Sequence, residues 1–410
     1  MDDANTNKQL RIYDETGKFI RVSVDEAIAN KYNYWQGWKC SAGIRGLYID
    51  YDGNIWICNS ASSNYKQKLY EYHKIKFETV MPTISKEKKA EKIKELKEEF
   101  ETFKKTYRKA IPFTSENMIN YKGFLGNIYD GFNLNNEWVN CPWSTCSCGA
   151  DVILSKAKTD SNKDLLEVTK RSYEGQQCSA KNLSQNISEH KAMEMNFPIP
   201  YQILWDLGRK CNYDCSYCWP GVHNRIDKHK PLDVLIGTAD KIIKSWANNN
   251  TIRWNFGGGE PTLHPYFVDF LKYLKQHNQW TMVTSNGTRS AKYWSETIQY
   301  LNSVNLSAHF DGLHGEKEEN KFIENCNVIC EHFDSHYDDH WLEIKIMSPP
   351  KYFNRSLNLK NKILNNTTIS KFGANGRIKG VVSMVPIRDI NDGSKLVEYT
   401  EEQLNILRNQ

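Results

Sequence analysis

The stretch YQILWDLGRKCNYDCSYCWPG, residues 201–221, decides how this chain reads. It opens as an apolar, aromatic run of strand type that stops at Gly208. Cys211, Cys215 and Cys218 follow, with three and then two residues between them. That spacing also fits one face of a helix, so the neighbours must arbitrate. Asn212 and Asp214 favour turns, and Pro220-Gly221 would break a helix soon after. The cysteines are therefore expected on a loop after a strand.

Working outward, residues 201–207, 251–256, 280–284, 304–308, 342–347 and 380–385 read as strands. Amphipathic stretches at 232–247, 265–277, 291–301, 317–333 and about 356–364 lie between or after them. A further helix begins at Thr400, where Thr400-Glu401-Glu402-Gln403 forms a capping box. Strand–helix alternation of this kind predicts an α/β fold, a partial (β/α)6 TIM-like barrel over residues 197–410. In such barrels the loops at the C-terminal ends of the strands carry the chemistry, and the three cysteines fall on the first of them.

Three thiolates on a short loop can each reach a different iron of a 4Fe–4S cube, leaving the fourth iron open. A zinc site with a distant fourth ligand would use the same residues. After the second strand comes GGGEPTLHP, residues 257–265. Consecutive glycines let backbone approach a ligand closely, and Glu260 beside them can accept hydrogen bonds from a ligand ammonium.

Together these residues resemble the radical SAM superfamily. Residues 211–218 match its three-cysteine motif, with Tyr217 at the aromatic position before the last cysteine. Gly258-Gly259-Glu260 match the motif that holds the methionine amino group. The resemblance implies that S-adenosylmethionine chelates the open iron and is cleaved reductively to a 5′-deoxyadenosyl radical, which abstracts a substrate hydrogen. It also makes Ser285, Asn286, Ser307 and His309 candidates for contacts to the nucleoside ribose and carboxylate. These are cofactor-binding candidates, and no catalytic residue is assigned. Lys345 and Met347, on the fifth strand, could line the pocket, with core packing the expectation for Met347, and Cys326 and Cys330 are expected in the core.

The chain has 11 cysteines, and the first half carries Cys40, Cys58, Cys141, Cys146, Cys148 and Cys178. Residues 44–49 and 54–58 flank Asp52-Gly53, a hairpin signal. A zinc ribbon is one reading, but neither half has the two-residue knuckle spacing. The pattern resembles an auxiliary iron–sulfur domain of SPASM or twitch type, here preceding the barrel instead of following it. That resemblance implies one auxiliary 4Fe–4S cluster on Cys40, Cys58 and two of Cys141, Cys146 and Cys148, with Cys178 the weakest candidate. The domain is expected over residues 1–157 as a smaller α+β unit with a charged helical insertion at about 60–120. Within the insertion, residues 84–108 read as one long solvated helix, and residues 158–196 as a polar linker.

A net charge of +5 against 54 basic and 49 acidic residues describes a mixed surface, and nucleic acid is not indicated. No apolar run approaches a membrane span, and MDDANTNKQL at the start lacks the features of a signal peptide. A cytoplasmic, reducing setting is expected, in which clustered cysteines bind metal before they form disulfides. The expected partners are a peptide or protein substrate, or alternatively a small molecule such as a sugar, nucleoside or alcohol. An electron donor such as flavodoxin or ferredoxin is also expected. A non-catalytic iron–sulfur redox or binding protein is the remaining alternative.

Overall fold

The structure, a computed structural model, describes residues 9–13, 19–23, 39–63, 65–66, 123–134, 139–141, 156–157, 165–166, 169–170, 201–218, 228–247, 250–335, 340–369, 380–389 and 396–408, with 91, 95, 98 and 102. Its main sheet comprises β1 (Gly46–Ile49), β2 (Asn54–Trp56), β3 (Phe124–Asn127), β4 (Gly131–Phe132), β5 (Tyr201–Asp206), β6 (Ile252–Gly257), β7 (Trp280–Ser285), β8 (Ser303–Ala308), β9 (Trp341–Met347) and β10 (Gly380–Val385). The order is β10-β9-β8-β7-β6-β5-β1-β2-β3-β4. Strands β5 to β10 lie parallel in chain order, which is the partial barrel expected from the alternation.

The sheet continues past the first barrel strand. β1 pairs in parallel with β5, from Gln202 opposite Gly46 to Trp205 opposite Ile49. An antiparallel meander β1-β2-β3-β4 then extends it. The hairpin expected around Asp52-Gly53 is thus formed, and it is hydrogen-bonded to the barrel. A small sheet joins Lys39–Cys40 to Val139–Asn140, Lys156–Ala157 and Leu165–Leu166. Another joins Gln9–Tyr13 to Phe19–Ser23 and Thr169–Lys170. Residues 165–166 and 169–170, inside the stretch read as a linker, are therefore paired strands. Of the charged helix read at 84–108, the positions 91, 95, 98 and 102 are described, all helical and exposed. The rest lies outside the described residues.

Helices α1 (Leu232–Ser245), α2 (Phe267–Gln276), α3 (Ala291–Thr297), α4 (Glu316–Ser335), α5 (Phe353–Asn366) and α6 (Glu401–Arg408) complete the alternation. Their starts follow local chemistry. Ser290 Oγ accepts from Tyr293 N at the head of α3. At α6 the capping box is reciprocal: Gln403 N donates to Thr400 Oγ1 at 3.2 Å, and Thr400 N donates to Gln403 Oε1 at 3.1 Å. Among the described residues no helix is long and apolar enough to cross a membrane.

Alternation along the strands divides two environments. Ile252, Trp254 and Phe256 of β6 are buried with Trp205, Phe267 and Phe270, and the ring of Trp205 meets Phe270 edge-on at 5.5 Å. Cys326 and Cys330 on α4 are in the same core, as expected. The opposite face is polar: Asn305 and Ser307 on β8 stand in register with Glu343 and Lys345 on β9, whose side chains pair at 3.4 Å. Met347 shares the alternate positions of Glu343 and Lys345 and is half-buried. The core packing expected for it falls instead to Leu342, Ile344 and Ile346. Trp254→Ala removes a fully buried side chain and should lower unfolding free energy by about 3–5 kcal/mol, read by urea denaturation followed by far-UV circular dichroism.

Candidate active site

The cysteine loop leaves β5 and is stitched by backbone to the exit of β6. Leu207 N donates to Gly257 O at 3.0 Å, Gly259 N to Gly208 O at 2.8 Å, and Glu260 N to Lys210 O at 2.7 Å. The glycines make this approach possible. Gly258 has φ +119°, and a Cβ there would lie 2.5 Å from Gly208 O. A Cβ on Gly259 would lie 2.3 Å from Lys210 O. The close approach expected toward a ligand is made here to the backbone of the cysteine loop.

Glu260 ties the next strand in. Its carboxylate is buried, 2% exposed. Oε1 accepts from Thr262 N, Thr262 Oγ1 and Ser285 Oγ at 3.0, 2.6 and 2.8 Å. Oε2 accepts from Asn286 N at 2.7 Å. Burial raises the Glu260 pKa, and these hydrogen bonds oppose the rise. Asn286 in turn donates from Nδ2 to Asn212 Oδ1 at 2.9 Å, and lies 3.9 Å from Cys211 Sγ.

The fourth strand holds the far side of the loop. Tyr217 stacks on His309, with centroids 5.8 Å apart and planes at 16°, and its hydroxyl is 3.0 Å from His309 Nδ1. Burial lowers the His309 pKa to about 4, so the ring is neutral near pH 7. Ser216 donates from N and Oγ to Asp311 Oδ2 at 2.7 and 2.9 Å. A Cβ on Gly312 would meet the Tyr213 ring at 2.1 Å. Asn212, Tyr213, Ser216, Asp311 and Gly312 are not among the site residues expected from sequence. The Asp-Gly pair after the fourth strand was the available signal. Of the site residues expected from sequence, Tyr217, Glu260, Ser285, Asn286 and His309 form one connected set with the loop. Ser307 stays apart on β8, buried, in register with Lys345.

Cys211, Cys215 and Cys218 are each partly exposed, and a turn closes between Cys215 O and Cys218 N at 2.9 Å. Burial first, then charge on Cys218, Asp311 and Cys211, pushes the Cys215 thiol up to about 12. Thiolates crowded in this way need a cationic centre to stay ionised, so the donor set fits an iron–sulfur cluster. Among the described residues no group of three His, Cys, Asp or Glu is arranged to hold a metal ion; a cube spreads its thiolates over separate irons.

The second cysteine group is described in part. Cys40, Cys58 and Cys141 are buried. Cys40 stands opposite Val139, two positions before Cys141, and Gly43 N donates to Ile57 O beside Cys58 at 3.2 Å. Cys146, Cys148 and Cys178 lie outside the described residues.

Gly259→Ala forces a Cβ onto the Lys210 carbonyl and should cost roughly 1–3 kcal/mol. The loop thiols should then react faster with a thiol reagent, measured against Cys326 and Cys330 as buried references.

Residues 205–316 match the Radical SAM superfamily. A GTP 3',8-cyclase of Pasteurella multocida (strain Pm70) is 31% identical over 112 residues, 26% of this chain and 32% of that protein. The mycofactocin maturase MftC of Mycobacterium tuberculosis (strain ATCC 25618 / H37Rv) is 24% identical over 123 residues, 30% of each chain. The chain thus spans about a third of the length of these curated relatives. Streptococcus suis SuiB bound to S-adenosylmethionine aligns with a TM-score of 0.36 at 16% identity, over 51% of this chain and 46% of SuiB. Members of the matched superfamily use a 4Fe–4S cluster and S-adenosylmethionine, and the stitched cysteine loop and its glycine-rich neighbour lie wholly inside the matched segment. The likeness to the Radical SAM superfamily is carried by residues 205–316, the segment that holds the cysteine loop and Gly258-Gly259-Glu260.

Proposed function

We propose that Cys211, Cys215 and Cys218 hold a 4Fe–4S cluster, and that the chain uses it to cleave S-adenosylmethionine and modify a peptide or protein side chain. When bound, the cluster and S-adenosylmethionine supply a 5′-deoxyadenosyl radical able to take a hydrogen atom from substrate. The observation that carries this reading is the backbone stitch between residues 207–210 and 257–260. It holds the start of the three-cysteine loop, up to the residue before Cys211, against the glycine-rich turn that the family motif assigns to S-adenosylmethionine. Asn286 and Asn212 fix one edge of the loop, and Asp311 and His309 the other. The polar inner face of β8 and β9 offers Asn305, Ser307, Glu343 and Lys345 to a substrate.

The peptide arm rests on the likeness of the Cys40, Asp52-Gly53 and Cys58 pattern to auxiliary iron–sulfur domains, many of whose bearers act on peptides. Such a cluster, on Cys40, Cys58 and two of Cys141, Cys146 and Cys148, would accept the electron left on a substrate radical. A flavodoxin or ferredoxin would deliver the electron that starts turnover. A second reading, action on a small molecule, is favoured by the match to GTP 3',8-cyclase, a protein named for a nucleotide.

Iron and sulfide counts after anaerobic reconstitution test the cluster assignment. Replacing Cys211, Cys215 and Cys218 together by Ala should remove about four irons and all 5′-deoxyadenosine formation, and leave the auxiliary iron in place. Loss of every iron would show that the two sites are not independent. Substrate class is read by deuterium transfer into 5′-deoxyadenosine. Label arriving from a co-expressed peptide supports the first reading; label arriving from GTP or another small molecule replaces it with the second.

A further inference from the structure

The turn between β1 and β2 points its charge at the cysteine loop. Asp52 and Arg209 form a two-pronged ion pair: Arg209 Nη1 donates to Asp52 Oδ1 at 2.9 Å and Nη2 to Oδ2 at 2.7 Å. Both side chains are 4% exposed. A buried fork of this kind fixes geometry as well as charge. The guanidinium lies 4.9 Å from the centroid of the Tyr51 ring, and Asp52 Oδ2 also accepts from Tyr65 Oη at 3.1 Å.

The turn itself is rigidly held. Asp50 accepts from Asp52 N, Asn54 N, Asn54 Nδ2 and Trp56 Nε1, at 2.9 to 3.0 Å. Gly53 sits at φ +79°, where a Cβ would strike Ile128 at 2.6 Å. A second tie runs parallel to the ion pair: Lys230 Nζ donates to Tyr51 O at 2.7 Å and to Leu207 O at 2.9 Å. Segment 207–210 is therefore gripped on two sides, by β6 through backbone and by the hairpin through Asp52 and Lys230. Cys211 follows directly.

From this two-sided grip we infer that Asp52, acting through Arg209, is a positioning residue for the three-cysteine loop. The hairpin from the first half of the chain then sets the loop's shape as well as lying near the auxiliary cysteines. The consequence for the cluster rests on the function proposed above; the grip on the loop does not.

The test uses the full-length chain as wild type, as Asp52→Asn, and as the double variant Asp52→Asn/Arg209→Met. Asp52→Asn leaves a buried guanidinium without its counter-ion, which alone destabilises a protein. The double variant removes that orphan charge, so it separates general stability from positioning. Hydrogen exchange by mass spectrometry should show residues 209–218 exchanging about tenfold faster in both variants, with β9 and α2 unchanged. Thermal melting of the double variant should return toward wild type while the loop stays fast. In iron-loaded, reduced protein, the change in the electron paramagnetic resonance signal on adding S-adenosylmethionine should shrink in both variants. Wild-type loop exchange in the double variant would overturn the inference, as would faster exchange spread evenly over all strands. If wild-type protein gives no such spectral change, the proposed function fails, and the exchange comparison still decides the role of Asp52.

Discussion

The site depends on one close contact, the backbone of residues 207–210 lying against that of 257–260. Three hydrogen bonds cross it, and no side chain larger than hydrogen fits at Gly258 or Gly259 without displacing a carbonyl. The near side of the cysteine loop is organised from that seam, and the far side is held by Asp311 and His309 beyond β8. Glu260 leaves it to collect Thr262, Ser285 and Asn286, and the loop leaves it toward Asn212, Ser216 and Tyr217. Because a buried carboxylate needs donors to remain charged, Glu260 couples three strand ends in a single network.

Much of this was legible in the chain alone, for physical reasons. Strands buried on one face and helices with apolar stripes announce themselves by period, so the barrel strands appear within a residue or so of where the alternation puts them. The sixth strand is found at the residues read for it, 380–385. Turn chemistry likewise marked the Asp52-Gly53 hairpin, where φ +79° demands glycine. Partners distant along the chain were not legible. Nothing local in Asp52 or Arg209 says that they meet, and Gly312 reads as a turn until Tyr213 is seen lying on it. The pairing of β1 with β5 is of the same kind: parallel strands leave no turn signature between them.

Polarity on the inner barrel face is the other feature of consequence for chemistry. Core packing claims Val304, Leu306, Leu342 and Ile344, and the alternate residues are left polar. The Glu343–Lys345 pair at 3.4 Å presents charge of both signs. Charged groups held by rigid strands lose little on meeting a complementary ligand, because their orientation is already set.

The parallel pairing of β1 with β5 also bears on how the chain reaches its native state. Tyr48 and Asp206 hydrogen-bond although 158 positions separate them. During synthesis the hairpin emerges long before its partner strand exists, with one polar edge waiting for hydrogen bonds. Closing so long a loop is entropically costly and slow relative to local contacts. The meander β1-β2-β3-β4 can pair within itself, while the outer edge of β1 is completed only once residues 201–206 arrive.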